Sequence, residues 1–125
     1  MTSQPPTNAH RPLILCIEDA DIALRVKKLL LESVGYDVLT ANSAEDGFQL
    51  FRQKPVKLVI SDHYLGGKTG TEVARAMKAL KPEVSILLVS GAAEKIDGLE
   101  VVDAFLTKGS PTQLFLDTVA QLLGE

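Results

Sequence analysis

The chain has 125 residues, enough for one ordinary domain and too few for two. At that size folding buries roughly two thirds of the surface the unfolded chain exposes, so neither disulfides nor a structural metal are required. With 46% hydrophobic and 23% charged residues, a formal net charge of -3 and Lys and Arg scattered along the chain, the composition is that of a globular protein and gives no sign of a polyanion binder.

The first segment, residues 1–11, is polar and proline-bearing, with no apolar stretch of signal-peptide or membrane-spanning length; it is predicted to be a flexible N-terminal tail of a cytoplasmic protein. Residues 12–125 are predicted to form one domain. Apolar segments of strand length follow at 13–17 (LILCI), 36–40 (YDVLT), 56–60 (VKLVI), 84–89 (VSILLV) and 101–106 (VVDAFL). Three are nearly continuous in Val, Ile and Leu, as parallel strands covered on both faces require. Cys16, the single cysteine, lies in the first and reads as a small buried hydrophobe; it permits no intramolecular disulfide and fits a reducing compartment.

Helical spacing fills the gaps. In 20–34, Ile22, Leu24, Val26, Leu29, Leu30 and Val34 are apolar, and Gly35 is placed to stop the helix. The segment 43–53 opens on Ser43 with Asp46 three residues on, like a capping box, and Pro55 stands beyond its end. Residues 70–80 are predicted to bury Val73, Met77 and Leu80, with Thr69 and Glu72 as a second box. The last helix is predicted to start with Ser110 as N-cap and Pro111 at its first position, with Gln113 three residues after the cap. Only 91–100 (GAAEKIDGLE) breaks the alternation: it is short, Gly98 interrupts it, and one or two mobile turns are expected. Alternating strands and helices predict an α/β fold, a parallel sheet with helices on both faces.

In such sheets, sites form outside the carboxyl ends of the strands. The polar residues standing there are Glu18 and Asp19 after the first strand, Asp62 after the third, Ser90 and Gly91 after the fourth, and Thr107 and Lys108 after the fifth. Singly each has an ordinary structural explanation: helix capping for Asp19, an Asx turn for Asp62, a turn for Ser90-Gly91, a solvated ammonium for Lys108. Together they put three carboxylates, a hydroxyl and an ammonium at one predicted edge. Three packed carboxylates repel unless a cation intervenes, and a few hard oxygen donors suit Mg²⁺. With Lys108 as a second positive charge and Ser90 as a donor, the set could stabilise a transferring phosphoryl group, one carboxylate being its acceptor.

Four motifs in order carry a resemblance: LILCIEDA with its acidic pair, LVISDHYLGGKTG with a glycine eight residues after the aspartate, ILLVSG with a strand-end hydroxyl, and AFLTKG with a strand-end lysine. From Leu13 to about Leu123 the chain resembles the receiver domain of two-component response regulators. That resemblance implies a flavodoxin-like doubly wound five-stranded parallel sheet of order 2-1-3-4-5, here with a shortened fourth helix. It implies that Asp62 is the phosphoacceptor and that Glu18, Asp19, Asp62 and the backbone carbonyl of Tyr64 hold Mg²⁺. Ser90 would be the switch hydroxyl, Lys108 its cationic partner, Phe105 the switch aromatic, and Tyr64 and Ala92 the side chains that tune water access. The implied partners are a histidine kinase or phosphotransfer protein and a downstream protein. Neither nucleic acid nor membrane is expected as a direct partner, and at most the domain catalyses its own phosphorylation and dephosphorylation.

The chain departs from the family pattern in places. Leu65 is followed by Gly66 where many receivers carry proline, which predicts a freer loop. Lys108 precedes Gly109 where proline in a cis bond is common, so either the local geometry differs or the bond is trans. The short stretch between Ser90 and Lys108 leaves dimerisation through the usual face open. His63, with no second histidine near it, is assigned a surface or packing role. Three alternatives stand beside the phosphoacceptor: a vestigial, phosphorylation-independent interaction module on the same fold; an FMN or nucleotide binder, for which the acidic CIEDADIA loop is wrongly charged; and a haloacid-dehalogenase-type phosphatase, which needs a second aspartate where Tyr64 stands. No output domain fits within 125 residues, and the sequence leaves open whether the chain is a stand-alone receiver or part of a longer one.

Overall fold

The structure is a computed structural model that describes residues 11–91 and 96–125. The tail up to residue 10 and Ala92 therefore lie outside the described residues. Of the predicted tail, Arg11 is seen, exposed and 3.5 Å from Asp37.

Among the described residues, seven strands and four helices follow in chain order: β1 (Leu13–Ile17), α1 (Asp21–Ser33), β2 (Asp37–Ala41), α2 (Ala44–Gln53), β3 (Leu58–Asp62), β4 (Tyr64–Leu65), β5 (Lys68–Thr69), α3 (Gly70–Leu80), β6 (Ser85–Ser90), β7 (Ala104–Thr107) and α4 (Thr112–Leu122), with a 3-10 turn at Leu99–Val101. The main sheet is parallel in the order β2-β1-β3-β6-β7. With the two-residue strands β4 and β5 set aside, this is the predicted order 2-1-3-4-5.

The period of two along β1 divides the core. Leu15 and Ile17 point to the α2–α3 side, where Phe51, Val73 and Met77 are buried. Ile14 and Cys16 point to the α1–α4 side, against Leu24, Leu31 and Val119. Each fully buried side chain of this size is worth about 1.5–3 kcal/mol of transfer free energy, so a sheet covered on both faces holds the strand ends rigidly. Cys16 is fully buried, and burial pushes its thiol up to about 12, so it is inert.

The structure corrects several local expectations. The last four main strands run later than the apolar runs because ladder hydrogen bonding continues into polar residues: Asp62 pairs with Val89 and Ser90 with Thr107 in the register. Val101 belongs to the 3-10 turn, and Asp103 exchanges bonds with Ile86 just ahead of β7. Ser110 does not cap α4. Pro111 takes the cap position, and the Ser110 hydroxyl donates instead to the Thr107 carbonyl at 2.7 Å. Leu80 is exposed, because α3 meets the sheet through Val73, Ala74 and Met77 before its last turn leaves the surface. On α1 only Leu24 and Leu31 are buried, while Ile22, Val26, Leu29 and Val34 face outward. The complete capping box at Thr69–Glu72 and the Ser43 cap on Asp46 are as expected. Gly35, at φ 102, terminates α1 in a conformation that side chains resist.

The segment after Asp62 is not a free loop. Tyr64 pairs with Thr69 and Leu65 with Lys68 in an antiparallel hairpin, whose two-residue turn needs Gly66 at φ 74. Of the 91–100 stretch, the described part holds one short turn, at 99–101. No helix among the described residues is long and apolar enough to cross a membrane.

Candidate functional site

The carboxyl ends of β1, β3, β6 and β7 lie side by side along one edge of the sheet. Glu18 follows β1 directly; its backbone N–H donates to the Ala41 carbonyl of the outer strand β2, and the residue is 1% exposed. Asp19 beside it is exposed, and no side-chain bond caps α1, so the capping explanation for Asp19 fails. Asp62 is the last residue of β3 and 5% exposed. One ligand oxygen from each of Glu18, Asp19 and Asp62 lies within 4.8 Å of the others.

Lys108 reaches across from the end of β7. Its ammonium stands 3.0 Å from Asp62 Oδ2 and 3.7 Å from Glu18 Oε2. The Lys108 backbone N–H donates to the Ser90 carbonyl at 2.7 Å, which fixes the β6 and β7 ends relative to each other. The predicted problem with the Lys108–Gly109 bond is settled simply: no peptide bond among the described residues is cis, and Gly109 takes φ 87 to turn the chain toward α4.

The charges perturb one another. Burial, with the neighbouring Glu18 charge, outweighs the hydrogen bond from Lys108 and raises the Asp62 carboxyl above its ordinary value. Burial also pushes Glu18 upward, but hydrogen bonding and charge from Lys27, with help from Asp62 and Lys108, bring it net below the usual range. Lys108 is raised, chiefly by its bond to Asp62. Of the two buried carboxylates, Asp62 is thus the one shifted toward its protonated form and Glu18 the one shifted away from it.

The donor set fits a hard divalent cation. Three carboxylates lie together, and Glu18 Oε2 is buried with no hydrogen-bond partner and only the Lys108 ammonium 3.7 Å away, an arrangement that a closer cation would complete. The Ser90 hydroxyl is likewise fully buried and has no partner among the described residues. A buried, unsatisfied donor at the end of β6, the strand paired with β3, is equipped to meet an anionic oxygen.

The remaining predicted residues are placed as follows. Tyr64 is half exposed, its ring edge-on to His63 at 4.8 Å between centroids. His63 is buried, in keeping with a packing role, and its backbone N–H donates to Asp62 Oδ1 at 2.9 Å. Phe105 is half buried on β7, opposite Leu88.

Sequence reasoning missed Lys27. It sits on α1 three residues after the buried Leu24 and four before the buried Leu31, so its stem runs along the face that meets the sheet. Its ammonium lies 2.7 Å from Glu18 Oε1. That spacing was visible in the sequence; a lysine set between two core leucines was the available signal.

The fold and the pocket define an α/β protein of the doubly wound kind with an acidic, lysine-bearing site at the carboxyl ends of its strands. Residues 14–119 match the sequence profile of the response regulator receiver domain, and the chain belongs to that family. The chain is 32% identical over 101 residues to the aerobic respiration control protein ArcA of Escherichia coli, covering 78% of this chain and 42% of ArcA. It is 32% identical over 114 residues to the alginate biosynthesis transcriptional regulatory protein AlgB of Pseudomonas syringae, covering 87% of this chain and 25% of AlgB. The chain thus spans less than half the length of these relatives. Among solved structures it is similar to a receiver domain protein from Clostridium thermocellum, with a TM-score of 0.84 at 25% identity over 90% of this chain and 94% of that one. The fold also matches the response regulator TrrA of Thermotoga maritima, solved with Mg²⁺ and BeF, with a TM-score of 0.84 at 24% identity over 90% of this chain and 99% of that one.

Proposed function

We propose that this receiver domain accepts a phosphoryl group on Asp62 from a phosphohistidine of a histidine kinase or phosphotransfer protein, and that the acyl phosphate switches a surface read by a downstream protein. The observation that carries this is the convergence on one buried aspartate of an acidic pair, a lysine 3.0 Å away and a fully buried, unpartnered serine hydroxyl.

The chemistry follows from the residues. An Asp62 oxygen attacks phosphorus in line, the P–N bond to the donor imidazole breaks, and its electron pair leaves on that nitrogen. Lys108, already on Asp62 Oδ2, faces the charge that develops on the transferring group. Glu18, Asp19, Asp62 and the Tyr64 backbone carbonyl would hold Mg²⁺, which when bound supplies the further positive charge that phosphoryl oxygens require. Ser90 turns its hydroxyl to a phosphoryl oxygen, and Phe105 on the neighbouring strand responds by turning inward, a two-state element biased by local charge. The half-exposed Tyr64 ring and Ala92 govern water access to the acyl phosphate. Residues 12–125 are the functional unit, and a cytoplasmic setting fits a phosphohistidine donor.

The test is intact mass after incubation with acetyl phosphate and Mg²⁺. The expected result is a gain of one phosphoryl group in the wild type, none in Asp62→Asn and none without metal. An equal gain in Asp62→Asn would overturn the assignment. A wild type that neither accepts the group from acetyl phosphate or a phosphohistidine donor nor binds Mg²⁺ would leave the interaction module as the function.

A further inference from the structure

Glu18 meets a cation that does not come from the strand-end set. Lys27 approaches from α1 and places its ammonium 2.7 Å from Glu18 Oε1, with the Glu18 side chain 1% exposed and that of Lys27 17% exposed. Lys108 stands 3.7 Å from the other oxygen. Both oxygens of one metal-site carboxylate therefore face lysines, and the pocket of three carboxylates keeps a single net negative charge instead of two.

A buried pair of this kind adds little net stability, since the desolvation of both ions offsets their attraction. Its effect on a third charge at the same carboxylate is not offset. Two consequences of Lys27 oppose each other: it orders Glu18, which favours metal binding, and it repels a second cation. Glu18 is already confined by complete burial and by its backbone bond to Ala41, so it has little freedom for Lys27 to remove. The repulsion wins.

We propose that Lys27 is a positioning residue of the metal site that occupies Glu18 in the metal-free protein and holds the affinity for a divalent cation down. This rests on the metal-assisted phosphoacceptor function proposed above. Binding of the cation at Glu18 is then a competition with an internal ammonium. That ammonium borders the groove of about 410 Å³ between α1 and the start of α4, through which it can withdraw along its own flexible stem.

The test is calorimetric titration of the full chain with MgCl₂ at low ionic strength and one pH, with wild type, Lys27→Met, Lys27→Gln, Lys27→Arg and Asp62→Asn. Lys27→Gln keeps an amide donor for Glu18 and so provides a charge deletion even if Lys27→Met fails to fold. Both charge deletions are expected to bind Mg²⁺ about tenfold or more tightly than wild type, a conservative figure for one unit charge this near. Lys27→Arg is expected within about twofold of wild type, because it retains the charge. Binding to Lys27→Gln equal to or weaker than wild type, with binding still lost in Asp62→Asn, would overturn the role of Lys27 and leave the site intact. A Lys27→Arg protein that binds as tightly as Lys27→Gln would overturn it as well, since packing and not charge would then be the cause. Absence of Asp62-dependent binding in every variant that retains Asp62 would overturn both this proposal and the metal-assisted function.

Discussion

Asp62, the acceptor proposed above, is also a residue that the metal-free fold bears at a cost. Its folded-state pKa is raised above the ordinary 3.8, first by burial. A carboxyl with a raised folded pKa contributes stability below its unfolded value and loses it as pH rises through the folded value, so at neutral pH the ionised Asp62 opposes folding. Metal-free Asp62→Asn is therefore expected to melt higher than wild type at pH 7.5, by roughly 1 kcal/mol or about 4 °C, the range reached when a functional burden is relieved. The gap should close as pH falls below about 4, where Asp62 takes up its proton in folded and unfolded chains alike. Glu18 has the opposite sign: lowered by Lys27 against the pull of burial, it contributes stability above its unfolded 4.5 that is lost as pH falls through the folded value. Thermal melts of both proteins across pH 3.5–8 check this, and a wild type more stable than Asp62→Asn without metal would contradict it. At this scale the sequence was most legible where chemistry sits at a strand end. Glu18, Asp62, Ser90 and Lys108 each closed an apolar run, and parallel sheets gather such ends. Lys27 was legible only as a lysine between two core leucines; that its ammonium reaches Glu18 follows from packing of α1 on the sheet, which the helical spacing alone does not display.

Elements succeed or fail at their joints. The hairpin β4–β5 brings the chain back so that α3 starts against the strand it has just left, and Gly70 makes that approach possible: its N–H donates to the His63 carbonyl at 2.6 Å. A Cβ at Gly70 would lie 2.6 Å from the Asp62 carbonyl oxygen and 2.5 Å from Leu88 Cδ1. The first of these is backbone and cannot yield cheaply. Gly70→Ala is expected to cost about 1–3 kcal/mol, as overpacking does, and to slow modification by acetyl phosphate about tenfold or more by moving the backbone that carries Asp62, the proposed acceptor. Gly67→Ala, which meets nothing within 4 Å, should stay within about 0.5 kcal/mol of wild type and react normally. Denaturant melts and the mass assay together decide it; equal behaviour of the two variants would remove Gly70 from the argument. The sequence marked Gly70 by its distance from Asp62 but could not show the reason, which is contact between two elements. The same limit explains Ser110: its spacing was that of a cap, and the Thr107 carbonyl, brought close by Gly109, proved the better partner.

For the whole molecule the informative error concerns α1. Apolar residues at helical spacing were legible, but the spacing holds two stripes. Leu24 and Leu31 enter the core, while Ile22, Val26 and Leu29, at intervals of four and three, form a second stripe that remains outside, with Ile22 80% exposed. Exposed apolar residues in register on one helix mark an interaction surface, and this one borders the groove that leads to Glu18, Lys27 and Lys108. Under the function proposed above, a phosphohistidine donor that approaches Asp62 from this rim would be oriented by helix-to-helix contact along the stripe. Val26→Glu is accordingly expected to reduce phosphotransfer from a phosphohistidine protein about tenfold or more, because a buried, unpaired carboxylate is costly at an interface. The same variant should take phosphate from acetyl phosphate at the wild-type rate and melt within about 0.5 kcal/mol of wild type, since position 26 is exposed in the free protein. Parallel time courses with the two donors separate the effects. Equal loss with both would place Val26 in the reaction itself, and no loss with either would move donor docking to another face of the molecule.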